Sequence, residues 1–333
     1  MQGWLARKVI RRRKTRKYDE DSIEVLNLGV VRMIEHENLI KLFQMYQCDA
    51  ELNFVFPFVE LDLHKVLFEG KTPPGVPNDA NTTTSFIGHW LWMQMSGVAA
   101  ALDKLHYSKL EGREVAGFHF DLKPDNILVT DAGILKITDF GISLFMETGG
   151  GYSTGVSKAE AGEIAYRPPE SMLGYMAHRD YDIWSLACIM MEVFLYTDAI
   201  TKYGDTNAGK TAVVNFGKER RKEGSYGNEL QFFVRDRDSV ISVRKESVDN
   251  ELSRLKHEHG QTKLNDLFEQ MMNPANPESE QRPRAKAVSE TLQEINAEYS
   301  QKQIEGEVPL ERLMARVNEK VLNHFDIEDS FIQ

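Results

Sequence analysis

Residues 119–141 read HFDLKPDNILVTDAGILKITDFG, and the side chains able to do chemistry gather at the two ends of that stretch. Asp121, Lys123 and Asn126 fall in one short polar loop, and a second acid, Asp139, follows eighteen residues after the first. Between the acids lie two apolar patches, Ile127-Leu128-Val129 and Ile134-Leu135-Lys136-Ile137, parted by Asp131-Ala132-Gly133. Short apolar runs around a Gly-bearing turn predict a β-hairpin with a carboxylate-bearing loop at each end. The plain alternative is a hairpin whose acidic loops are merely solvated.

These residue types, at this spacing, resemble the eukaryotic protein kinases, whose catalytic loop reads H-R-D-L-x-x-x-N and whose metal motif is D-F-G. The resemblance implies transfer of the ATP γ-phosphoryl to a protein hydroxyl with Mg²⁺, a reaction that rests on positioning and charge neutralisation. It implies that Asp121 accepts or orients the hydroxyl proton and that Lys123 offsets charge on the γ-phosphoryl. Asn126 and Asp139 would hold the Mg²⁺. Lys123 and Pro124 after the catalytic acid look like the serine/threonine type.

Elements on either side must carry the rest of such a site. Residues 4–10 read as a strand resembling the third strand of the kinase small lobe, which puts Lys8 where the α- and β-phosphates are gripped. A surface lysine is the other reading. The family's glycine-rich loop and two strands should precede this lysine and only seven residues do, so the small lobe is expected to be truncated or incomplete. A helical stripe follows at Ile23, Leu26, Val30, Val31 and Ile34, capped by residues 19–22. Kinases pair a glutamate on this helix with the strand lysine. Glu24 fits the local sequence and Asn27 fits the spacing, and both stay open. Residues 52–59 read as a buried strand ending at Phe56-Pro57-Phe58-Val59, which resembles the gatekeeper and hinge. Adenine would then bond the carbonyl of Pro57 and the main chain of Val59, and proline's missing N–H is not needed there. Asp62 stands where a ribose contact is common. Residues 69–85 read as a polar loop and 86–106 as a long amphipathic helix.

Departures sit inside the motifs. Phe120 replaces the arginine that in the family receives an activation-loop phosphate, and phenylalanine cannot bind one. Thr148, Ser153, Thr154 and Ser157 lie in a Gly-rich stretch that reads first as a mobile polar loop and second as a phosphorylation region. Glu163 replaces the threonine that usually touches the catalytic acid and lysine. It is expected to bond Lys123 and to lower efficiency through its charge near Asp121. Glu170 is expected to pair with distant Arg282, and Asp182, opening a central buried helix, to hold the catalytic-loop backbone.

Two motifs are decoys. Residues 204–211, GDTNAGKT, match the P-loop pattern letter for letter, yet a helix end rather than a buried strand precedes them. A P-loop nucleotidase is therefore the remote alternative. His257-Glu258-His259 lacks the i, i+4 spacing of a zinc helix and reads as a solvated face.

A net charge of −11 over 333 residues argues against general nucleic-acid or membrane binding. Two cysteines, Cys48 and Cys188, offer no disulfide framework and favour a reducing compartment. The apolar run at 183–196 is expected to be too short for a membrane span, and it contains Glu192. No signal peptide is expected. The setting is cytoplasmic, with the basic stretch 7–17 a solvated loop on one reading and a nuclear-targeting patch on another.

The expected fold is α+β and two-lobed, protein-kinase-like. It has a truncated β-rich N-lobe at 1–59, a mainly helical C-lobe at 60–300 and an amphipathic helical tail at 301–333. That tail carries a stripe of Leu310, Leu313, Met314, Val317, Val321, Leu322 and Phe325, which docks on its own lobe or, through 310–325, meets a partner helix. The rival function is a catalytically impaired, pseudokinase-like scaffold binding protein partners. Its support is the missing glycine loop, the open choice between Glu24 and Asn27, Phe120 and Glu163.

Overall fold

A computed structural model describes residues 4–11, 20–49, 51–74, 80–147, 162–173, 179–224, 229–235, 242–258, 260–274 and 282–304. The polar residues Thr148, Ser153, Thr154 and Ser157, the basic run 12–17 and the stripe 310–325 lie outside them, as do Asp19 and His259.

The first part is strand-rich. β1 (Leu5–Arg11), β2 (Gln44–Cys48) and β3 (Glu51–Pro57) form one antiparallel sheet in the order β1-β3-β2, with Lys8 opposite Phe54. Between β1 and β2 runs helix α1 (Glu20–Val31). Its buried face differs from the expected stripe. Leu26 is 70% exposed, while Asn27, Leu28 and Val31 are buried. Glu24 must reach the sheet, and residues 24, 27, 28 and 31 share one helical face, which turns Leu26 outward.

β4 (Leu61–Asp62) leads into α2 (Leu63–Glu69), and α3 (Ala80–His106) follows. The loop expected over 69–85 is therefore shorter, because 80–85 are helical. Once a helix is long, each added residue costs only propagation, so weak formers such as Thr82, Thr83 and Thr84 are carried along.

β5 (Ser108–Leu110) and β6 (Arg113–Phe118) precede the hairpin of β7 (Ile127–Val129) and β8 (Leu135–Ile137), and β9 (Leu144–Glu147) pairs back onto β6. The hairpin is antiparallel with Ile127 opposite Ile137, as its apolar spacing predicts.

The remainder is helical. α4 (Asp180–Tyr203) is the central core helix, followed by α5 (Thr206–Glu223), the ribbon β10 (Phe233–Arg235) and β11 (Ser242–Arg244), and then α6 (Glu246–His257), α7 (Thr262–Met271) and α8 (Ala285–Ile304). α8 packs along α3, where the Ser289 hydroxyl donates to the Ser96 carbonyl at 2.9 Å. The run expected to be too short for a membrane span sits in α4, whose 24 residues are long and apolar enough to cross one by length and composition. In this fold α4 is almost wholly buried as core. Its apolarity is thus satisfied by neighbouring helices and strands. Cys48 is exposed, Cys188 is buried, and both are free thiols.

Candidate active site

The first turn of α4 sets the loop that carries Asp121. Asp182 is fully buried, and its carboxylate accepts from the backbone N–H of His119 and of Phe120, each at 2.9 Å. His106, at the end of α3, meets the same carboxylate through Nε2 at 2.9 Å. Three partners hold the buried carboxylate, as a charge removed from water requires. The anchor also holds Phe120 at φ 65°, in the left-handed region that L-residues seldom enter.

The ring of His119 ties the two acidic loops together. Its Nδ1 accepts from the Asp121 N–H at 3.3 Å, so Nε2 carries the proton and donates to the Thr138 carbonyl at 2.9 Å. The Thr138 N–H donates to the Asn126 carbonyl at 3.0 Å.

Asp121 is held by donors on both oxygens. Oδ1 accepts from the Glu163 N–H at 2.8 Å, and Oδ2 accepts from the Asn126 amide at 2.9 Å. Lys123 Nζ lies 3.2 Å from Oδ2, and 4.0 Å from the Glu163 carboxylate. Glu163 thus stands near Lys123, as expected, while its own backbone serves Asp121. Gly162 makes this approach practicable: at φ 82° a Cβ there would lie 2.1 Å from the Phe120 carbonyl oxygen. Arg167, which no sequence motif singles out, closes the turn by donating from Nε and Nη2 to the Gly162 carbonyl at 2.9 and 2.6 Å.

Across the hairpin, Lys8 forms an ion pair with Glu24 and reaches Asp139 Oδ1 at 3.4 Å. Burial works to lower the Lys8 pKa, but the bonds and charges of Glu24 and Asp139 outweigh it, so the net shift is upward. The partner of Lys8 is therefore Glu24. Asn27 is buried one turn on and donates instead to the carbonyls of Phe140 and Ser143. Asp139 adopts φ 62°.

The strand β3 ends at Pro57, where the expected hinge begins, and the Phe58 N–H donates to the Trp4 carbonyl at 3.0 Å. Val59 is half-buried just beyond. Asp62 serves its own helix. Its Oδ1 accepts from the Lys65 N–H at 2.8 Å, capping α2, and Oδ2 pairs with Lys65 Nζ at 3.2 Å.

Phe120 is enclosed by aromatic and aliphatic groups. It stacks on Phe118 at 5.4 Å between centroids and meets Tyr181 edge-on at 5.3 Å. Ala116 completes the buried set, with Ile142, Leu144 and Met146 packed against it. An apolar cluster thus fills the surroundings of the side chain that replaces arginine.

Farther out, Arg282 pairs with Glu170 through Nη1 and Nη2 and also donates to the carbonyls of Asp180 and Asn273. A buried set that the sequence did not signal joins Tyr166, Glu192 and Arg220. The Tyr166 hydroxyl donates to Glu192 at 3.0 Å, and Arg220 reaches the other oxygen at 3.4 Å. Burial pushes the Glu192 carboxyl up to about 7, against the opposing pull of Arg220 and Tyr166.

The P-loop match is not a phosphate loop. Gly204 ends α4, Asp205 caps α5 through the Asn207 N–H, and the remaining residues are the first turns of α5. Gly209 is there for contact, since a Cβ would lie 2.7 Å from Ile200 and Tyr196 of α4. An open groove of about 480 Å³ beside these turns is lined by Tyr203, Asp205, Asn207 and Thr211, and not by Lys210. His257 ends α6, and among the described residues no group of three or more His, Cys, Asp or Glu side chains could hold a metal.

Comparison with known proteins matches residues 2–291 to the family described as the protein kinase domain. The chain is 32% identical over 180 residues to cyclin-dependent kinase 2 of Caenorhabditis elegans, covering 53% of this chain and 43% of that protein. It is 34% identical over 167 residues to a probable cell division protein kinase of Encephalitozoon cuniculi, covering 50% of this chain and 53% of that protein. The chain thus spans about half the length of the curated relatives it matches. A crystal structure of the yeast RNA Pol II CTD kinase CTDK-1 complex shares the fold. Its TM-score is 0.57 at 18% identity, over 92% of this chain and 86% of that one.

Proposed function

The chain belongs to the protein kinase family, and from that premise we propose that it transfers the γ-phosphoryl of ATP to a Ser or Thr hydroxyl of a protein substrate. The observation that carries this is the Asp121 carboxylate, bonded by the Glu163 N–H and the Asn126 amide with Lys123 3.2 Å away. A carboxylate restrained on both oxygens is oriented to accept the proton of an incoming hydroxyl. Lys123 would offset charge on the transferring group, and Lys8, steadied by Glu24, would grip the α- and β-phosphates. Adenine would bond the Pro57 carbonyl and the main chain of Val59, with Asp62 near the ribose.

Asn126 and Asp139 would hold Mg²⁺, which when bound neutralises phosphate charge. They fit that ion: the Asn126 amide nitrogen is spent on Asp121, leaving its carbonyl oxygen, and Asp139 adds a partly exposed carboxylate. Mg²⁺ commonly takes one or two such protein oxygens together with phosphates, rather than a full protein cage. The free thiols Cys48 and Cys188 favour a reducing, cytoplasmic setting as part of the same proposal.

One feature favours the second reading, an impaired scaffold: the Glu163 carboxylate, 4.0 Å from Lys123, competes for the charge that a phosphate needs. A radiolabel assay on a generic basic protein substrate decides between them. Transfer that Asp121→Ala abolishes supports the kinase reading, and no transfer from the parent chain supports the scaffold. Asp139→Asn should weaken Mg²⁺-nucleotide binding by calorimetry, and unchanged affinity overturns the metal assignment.

A further inference from the structure

Asp139 keeps a left-handed backbone, φ 62°, at a residue that has a Cβ. Such a conformation persists only where its surroundings hold it. One contact is Lys8, which reaches the carboxylate at 3.4 Å and is itself held by Glu24. A second restraint, on the residues just after Asp139, is Asn27, one helical turn further along the same face of α1. Its amide nitrogen donates to the carbonyl of Phe140 at 2.9 Å and of Ser143 at 2.7 Å, and its side chain is buried. These carbonyls begin one residue beyond Asp139 and bracket the turn that follows. The turn is crossed again by the Ser143 hydroxyl, which donates to the His119 carbonyl at 3.2 Å, and by the Ser143 N–H, which donates to the Phe140 carbonyl. The glutamate on α1 thus reaches the acid through a lysine, while the amide grips the backbone behind it directly.

Resting on the kinase reading above, we propose that Asn27 is a positioning residue that holds Asp139 in the conformation that binds Mg²⁺. An apolar side chain at 27 would fill the same buried space yet remove the Asn27 donor from both carbonyls, leaving that of Phe140 with only the Ser143 N–H. The side chain of Asp139 would keep its charge and lose its fixed direction. Nucleotide held by the hinge alone does not depend on that direction, whereas nucleotide bridged to Asp139 by a metal does.

The test measures affinity for the non-hydrolysable β,γ-imido analogue of ATP by calorimetry, with Mg²⁺ and with EDTA, and takes the ratio of the two dissociation constants. In the parent chain Mg²⁺ should tighten binding. In Asn27→Leu the ratio should fall by about five- to 150-fold, as loss of two buried hydrogen bonds implies, or collapse to unity if the parent ratio is smaller. Affinity in EDTA should stay within about twofold, because hinge contacts are untouched. Asn27→Asp, which keeps size and shape but replaces the donor by an acceptor at pH 8, should behave alike and serves if the leucine variant does not fold. Val31→Ala, buried on the same helix, should lower the melting temperature and leave the ratio unchanged. A folded Asn27 variant that keeps the parent ratio overturns this inference alone. A parent chain whose affinity ignores Mg²⁺ overturns the metal assignment as well.

Discussion

Phe120 is 1% exposed, lies parallel to Phe118 and meets Tyr181 edge-on. Replacing it with arginine restores the residue type of related catalytic loops, and the structure says what that costs. Loss of a buried aromatic side chain forfeits about 1.5–3 kcal/mol of burial. Loss of two aromatic contacts adds about 0.5–1.5 kcal/mol each. The sum is about 2.5–6 kcal/mol, before any cost of placing a guanidinium among Ala116, Ile142, Leu144 and Met146. That is a large part of the roughly 5–15 kcal/mol that holds a typical domain together. Phe120→Arg should therefore shift the urea midpoint far down, with Phe120→Leu intermediate because it keeps burial and loses only the ring contacts. The parent's turnover should also survive phosphatase treatment, since no arginine in the loop awaits a phosphate. A Phe120→Arg variant within about 0.5 kcal/mol of the parent, the range of ordinary surface changes, would refute this account. Loss of the parent's activity on phosphatase treatment, with recovery on rephosphorylation, would refute it equally.

Glu163→Thr removes a half-exposed carboxylate 4.0 Å from Lys123 and should raise turnover by up to about fivefold, the worth of an exposed ion pair; a fall in kcat would show that the carboxylate assists. Lys210→Ala should leave nucleotide affinity and turnover within about twofold, because Lys210 sits in the first turns of α5; a loss comparable to that in Asp121→Ala would revive the P-loop. Glu192→Gln tests the buried carboxyl through pH. The folded state keeps a proton up to about 7, whereas the usual value is 4.5, so parent stability falls as pH rises between those values. The fall amounts to about 3 kcal/mol and is complete above about 7. Glutamine does not ionise, so the variant's stability relative to the parent should climb across that window in denaturation at pH 5 and pH 8. A flat difference would mean that Glu192 is already ionised when folded.

Much of the site was legible because its signals are local. The hairpin of β7 and β8 followed from two apolar runs around Gly133, and the loops at its ends placed Asp121, Asn126 and Asp139 near one another. The pairing of Glu170 with Arg282, 112 residues apart, was legible only through resemblance to a family. Nothing in the composition of either segment signals it. Tyr166, Glu192 and Arg220 were silent for the same reason, since one acid in an apolar helix names no partner. Asp62 carries an N-cap signal beside its resemblance to a ribose contact, being a polar side chain directly before an apolar helix.

The sequence by itself determined the residue types, the turn chemistry and the spacing within each loop, because backbone geometry fixes how far neighbouring side chains reach. Only the tertiary structure decided which face of α1 is buried. Periodicity put Leu26 inside, yet packing turned it out, set Glu24 against Lys8 and brought Asn27 to the backbone after Asp139. It likewise made GDTNAGKT a helix start packed on α4 instead of a phosphate loop. The reason is physical: a helix repeats its pattern whatever lies beside it, and the rotation about its axis is set by the partners that cover it.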